Sequence, residues 1–118
     1  MALPTPPDIE ASVTFVPRDQ GGRHAWVMPR EVRYIPQCRY QGQSWDTIHE
    51  YPDVEYARPG DTVRAFLRFL LPEQQLGRLQ EGMSFEVCEG AKVVAHGTVT
   101  KILALEENAR RGKSDSAT

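Results

Sequence analysis

No run in the 118 residues approaches the roughly 20 consecutive apolar side chains that span a bilayer as a helix. A helical membrane protein is therefore excluded. The opening Met1-Ala2-Leu3-Pro4-Thr5-Pro6-Pro7 has neither the basic n-region nor the apolar h-region of a secretory signal, so a cytoplasmic location is expected. Cysteine is scarce. Cys38 and Cys88 stand alone, without a CxxC or a paired Cys/His spacing, and His24, His49 and His96 are scattered, so neither a metal site nor a cofactor is expected. In a reducing compartment the two thiols should stay reduced, and a Cys38–Cys88 disulfide would require neighbouring strands. The chain also lacks a GxxxxGK[ST] motif, so it holds no nucleotide-hydrolysing P-loop. Its net charge of −2 gives no overall attraction to nucleic acid, and any basic surface must be local.

What is present reads as short strands. With 40% hydrophobic residues the length supports one core. Residues 1–8, with three prolines before Asp8, read as a flexible leader. From Ile9 the alternation of Ile9, Ala11, Val13 and Phe15 with polar residues has the period of two of a half-buried strand, which Pro17 to Gly22 ends. Arg23 to Gln43 carries Trp26, Val27, Val32, Tyr34, Ile35 and Tyr40 around Pro29 and Pro36, which predicts two irregular or edge strands. A further strand is expected over Trp45 to Tyr51. Pro59-Gly60-Asp61 fits a tight turn, with proline presetting φ and glycine supplying a positive φ.

The strongest strand signal follows that turn, where Val63, Ala65, Leu67, Phe69 and Leu71 share one face. Pro72 to Gly82 has room for one helical turn. Met83 to Cys88 and Lys92 to Leu103 then form a hairpin about Glu89-Gly90-Ala91, with Gly97 suggesting a bulge or barrel corner. Residues 105–118 are polar and expected to be disordered. Several short strands without a long amphipathic helix or βαβ alternation make the chain an all-β barrel or sandwich over 9–104.

Charge is unevenly spread. Between Arg18 and Arg39, Arg18, Arg23, Arg30, Arg33 and Arg39 stand against Asp19 and Glu31, a local +3 with His24, Trp26, Tyr34 and Tyr40 interleaved. Guanidinium groups fork onto phosphate oxygens while aromatic faces stack on bases, although barrel edges also carry arginine simply for solubility. From Trp45 to Asp61 the sign reverses, with Asp46, Glu50, Asp53, Glu55 and Asp61 against Arg58, a local −4. Such a pair of stretches could orient a protein partner. An enzyme would need Cys38 with His24 or His49 as nucleophile and base. No third, orienting residue is indicated, so no catalytic residue is assigned and the chain is expected not to be an enzyme.

Four local strings in order then carry a family resemblance: Gly21-Gly22-Arg23-His24, the stretch Arg33 to Arg39, Pro59-Gly60-Asp61, and Glu89-Gly90 with Gly97 in the last hairpin. Together, over Ile9 to Leu103, they resemble the third, C-terminal β-barrel domain of elongation factor Tu, here as a stand-alone domain. The resemblance implies a single six-stranded antiparallel β-barrel and a binding role in translation without a GTPase. It also implies contact with the T-arm of tRNA through Arg23 and His24, with Arg33, Arg39, Glu89 and Gly90 completing the RNA- or partner-binding set. The sequence departs from the family where Ala25-Trp26-Val27 replaces Thr-Pro-Phe, and where Ile35 stands in place of a glutamine. The competing expectation is a protein-interaction module, or mimic, that binds a partner of elongation factor Tu or its GTPase domain.

Overall fold

Alternation along the first and fourth strands sets the architecture. In β1 (Ile9–Phe15) the side chains of Ile9, Ala11, Val13 and Phe15 point inward, and in β4 (Thr62–Phe69) those of Val63, Ala65, Leu67 and Phe69 do so. The computed structural model describes residues 5–117, and side chains for residues 5–111. With β2 (Gln37–Tyr40), β3 (Gln43–Glu50), β5 (Ser84–Glu89) and β6 (Lys92–Ile102), these strands close a six-stranded barrel in the order β1-β4-β3-β2-β5-β6. Every neighbouring pair is antiparallel, and the expected all-β barrel is the observed fold.

Two extra residues interrupt the ladders of β6, the kind of irregularity that bends a strand. Register shifts leave Val94 unpaired against β5 and Thr100 unpaired against β1. The Val94 carbonyl is satisfied by Val16 N at 2.9 Å, and the Thr100 hydroxyl donates to Glu10. Gly97, where a bulge or barrel corner was expected, is not at a bulge but sits in regular register opposite Phe85 and Val13. Its role is packing: a Cβ there would lie 2.2 Å from the Phe85 ring.

Other expectations shift for identifiable reasons. Of the two strands predicted over Arg23 to Gln43 only β2 forms, and the rest makes lone bridges at Val27 and Tyr34. Pro29 and Pro36 have no N–H to extend a ladder. The strand predicted to run to Leu71 ends at Phe69; Leu70 N turns to Asp46 O, and Leu71 is half exposed before a 3-10 turn at Pro72–Gln75.

The tail expected to be disordered is a helix, α1 (Leu105–Ala117), as far as it is described. Leu105 and Ala109, one turn apart, are buried where the helix packs on the 3-10 turn at Pro72–Gln75, with Leu105 joining the core, a short apolar stripe that the surrounding polar residues conceal. The expected leader divides. Residues 1–4 lie outside the described residues, while Pro6 O and Pro7 O accept bonds from Asn108 Nδ2 and Ala104 N.

The strand directions give the barrel two different ends. Helix α1, residues 5–8, the β2–β3 turn and the 3-10 turn gather at one. The other, the loop end, is built from the β1–β2 connection (16–36), the β3–β4 connection (51–61) and the β5–β6 tip. Among the described residues no helix is long and apolar enough to cross a membrane.

Candidate functional site

The loop end begins with a glycine that nothing else can replace. After the 3-10 turn at Arg18–Gln20, Gly22 N bonds Pro17 O at 3.0 Å, and a Cβ on Gly22 would fall 1.9 Å from Val16 O. The chain so folded sends Arg23 toward the β5–β6 tip. There its Nε lies 2.6 Å from Glu89 Oε2, and its Nη1 donates to Ala25 O at 2.7 Å. Tyr34 Oη donates to the same Glu89 oxygen at 2.6 Å, with the Arg23 guanidinium 5.7 Å above the Tyr34 ring. Burial first, and then the Glu89 carboxylate, push the Tyr34 phenol well above its ordinary range.

Arg23, Tyr34 and Glu89 therefore form a closed, charge-balanced set. Gly90 N joins its edge by donating to Gln37 Oε1 at 3.2 Å, and Gln37 also reaches Asp46. Lys92 Nζ donates to Gly22 O, tying the tip to the glycine turn.

The remaining predicted site residues scatter around this set. His24 is exposed, and its carbonyl takes Arg18 Nη2 at 2.6 Å. Arg33 is exposed without a carboxylate partner among the described residues. Arg39 stands down the outer wall, where Nη2 pairs with Glu86 at 2.7 Å. The structure thus joins Arg23, Glu89 and Gly90, leaves His24 and Arg33 open nearby, and engages Arg39 elsewhere.

One arrangement escaped the sequence. Trp26 and Tyr56, thirty positions apart, stack with centroids 4.7 Å apart and planes at 19°. Both are more than two-fifths exposed. The bridge Val27–Ala57 holds them together, each backbone N donating to the other's O at 2.9 and 2.8 Å. Met28, Val32 and Ile35 in the same connection are also exposed. Trp26 was legible as an aromatic among arginines; Tyr56, lying in the acidic stretch, gave no sign that it would meet it.

Three of the five carboxylates of the acidic stretch are paired with arginines, two of which stand on β4. Asp53 holds Arg64 through two bonds of 2.9 and 3.0 Å, Asp61 pairs with Arg58, and Glu50 pairs with Arg68. Arg18, Arg30 and Arg33 have no carboxylate partner among the described residues, and Asp19, Glu31 and Glu55 pair with no cation there, so the loop end carries unpaired charges of both signs.

Cys38 and His49 offer no open chemistry. Both are buried, and burial pushes the Cys38 thiol up, away from the thiolate that a nucleophile requires. Burial holds the His49 imidazole neutral, its pKa lowered to about 3, with Nδ1 3.0 Å from Tyr51 Oη and Nε2 without a hydrogen-bond partner among the described residues. Cys38 and Cys88 lie on paired strands, but Cys38 faces Val87 and Cys88 faces Gln37, one step out of register. Successive residues point to opposite faces of a strand, so the thiols are not aligned for a bridge, and both are free. Among the described residues no group of three or more His, Cys, Asp or Glu side chains is placed to hold a metal ion. No protein-family model matches the chain.

Proposed function

We propose that this chain is a non-catalytic, cytoplasmic binding module of the translation machinery, similar to the C-terminal barrel of elongation factor Tu, and that its loop end binds a protein partner. The observation that carries this reading is the loop-end surface itself. Trp26, Tyr56, Met28, Val32 and Ile35 are exposed on the connections of this end, and the β1–β2 connection also carries Arg18, Arg30 and Arg33, which have no carboxylate partner among the described residues. Aromatic residues, methionine and arginine are the types enriched in protein interfaces, and exposed tryptophan and tyrosine are the usual anchors. Aliphatic Val32 and Ile35 suit a protein surface better than a phosphate backbone. A partner of elongation factor Tu, or its GTPase domain, is the partner class the resemblance suggests.

The second reading is RNA, in the first instance the T-arm of tRNA, and the exposed Trp26–Tyr56 platform, with arginines along the same β1–β2 connection, favours it. Against it stands Arg23, whose guanidinium already serves Glu89. Capture from native lysate, divided into nuclease-treated and untreated halves, separates the two. Under the protein reading a partner survives nuclease and is lost with Trp26→Ala or Tyr56→Ala, each truncation costing about 2 kcal/mol or more of binding. Enriched tRNA that disappears with Arg33→Ala would transfer the surface to RNA.

A further inference from the structure

The β1–β2 connection does more than expose an apolar surface. Where Pro29 and Arg30 fold over the outer wall of β3 and β4, they enclose a pocket of about 530 Å³ together with Glu50, Tyr51, Pro52 and Phe66. That volume lies within the range of ligand pockets. Its walls are rigid: two prolines have fixed φ angles, Tyr51 is buried, and Phe66 is capped by the Arg64 guanidinium at 5.2 Å, itself held by Asp53 and Glu10. A preformed wall loses little freedom when a ligand enters.

The polar groups of the pocket do not balance. Glu50 is committed to Arg68. Arg30 donates one bond, from Nη2 to Pro52 O at 3.3 Å, and has no carboxylate partner among the described residues. Its other N–H groups remain available at the rim, and a guanidinium fork matches a carboxylate in geometry as well as charge. The pocket therefore offers an apolar floor with a single unmatched cation at its edge.

We propose that it holds the C-terminal residue of a partner polypeptide, an apolar side chain between Pro29, Pro52 and Phe66, with its α-carboxylate on Arg30. A chain terminus fits this charge pattern because its carboxylate is carried on the same carbon as the side chain, so one anchor and one anion arrive at a fixed separation. This rests on the protein-binding reading of the loop end and names the part of the partner that is recognised.

The test uses the whole chain and two synthetic peptides, acetyl-Gly-Gly-Phe as the free acid and as the C-terminal amide, titrated while backbone amide signals are followed by NMR. The acid is expected to shift Arg30, Glu50, Tyr51 and Phe66 saturably in the millimolar range. The amide should bind about tenfold more weakly or not at all, and Arg30→Gln, at an exposed site, should remove the difference. Equal binding of acid and amide, absence of shifts at these residues, or an unaltered preference in Arg30→Gln would overturn the proposal. Failure here, with Trp26→Ala still abolishing partner capture, would leave the loop-end reading standing without the pocket. Acid-selective shifts without any captured partner would support the pocket and remove the wider surface.

Discussion

Phe85 occupies the space that a side chain on Gly97 would need: the two residues face each other across β5 and β6, and a Cβ on Gly97 would fall 2.2 Å from Cζ of the ring. The glycine is a volume requirement of the core, and an aromatic ring laid over a cross-strand glycine restores the contact that the missing side chain would have made. Gly97→Ala is expected to destabilise the barrel by about 1–3 kcal/mol through overpacking. Phe85→Leu should relieve much of that cost, so the double variant should be more stable than the sum of the single losses predicts. Urea denaturation of the three variants measures this, and strict additivity would show that the ring does not depend on the glycine.

Asp8 and Asn108 join the two ends of the chain. Asp8 is buried, its Oδ2 accepting Phe69 N at 2.7 Å and its Oδ1 accepting Asn108 Nδ2 at 2.6 Å. Burial raises its pKa, and the bonds from Asn108 and Phe69 only partly oppose this. Asn108→Ala removes one donor from a buried carboxylate and should cost about 1–3 kcal/mol. Hydrogen exchange should then quicken in the first turns of α1 before it does so in β1 and β4. Uniform protection in the variant would mean that the helix is held by Leu105 and Ala109 alone.

Mild acid should destabilise the protein through His49. With the folded pKa lowered to about 3, below the ordinary histidine value, the unfolded chain binds the extra proton between the two. Stability present above the ordinary value is therefore lost as pH falls through this window, by about 2 kcal/mol from pH 6.5 to pH 5. Asp8 acts in the opposite sense: its raised pKa favours the folded state at low pH, and its contribution falls as pH rises above the ordinary carboxylate value. Denaturation across this range should show the loss in the parent chain and a flatter profile in His49→Gln, even if that variant is less stable throughout.

Glu89→Gln should free Arg23 and leave Tyr34 with a neutral acceptor, at a cost of about 1–2 kcal/mol in stability. Under the RNA reading it should also strengthen polyanion binding and steepen its salt dependence. If RNA affinity and salt slope both stay put, Arg23 is a structural side chain.

Both thiols should resist modification in the native state and react together on unfolding, since Cys38 and Cys88 are buried and burial raises both pKa values. Mild oxidant should leave the monomer without an internal disulfide. A rapid internal bridge would contradict the one-step offset between the two strands.

The sequence by itself determined what depends on neighbours along the chain. Alternation in β1 and β4 announced strands buried on one face, and Pro59-Gly60-Asp61 announced a turn, which Asp61 N closes on Arg58 O at 3.0 Å. Such patterns are local because a strand repeats every two residues. The candidate site was only half legible for the same reason. The run of arginines marked the loop end, but not that Glu89, sixty-six residues away, takes up Arg23 while Arg30 and Arg33 have no carboxylate partner among the described residues. Tertiary structure alone decided the Trp26–Tyr56 stack, the pocket between Pro29 and Phe66, and the docking of a polar helix through Leu105, Ala109 and Asn108. Each depends on barrel closure, which brings together groups that no sequence period relates.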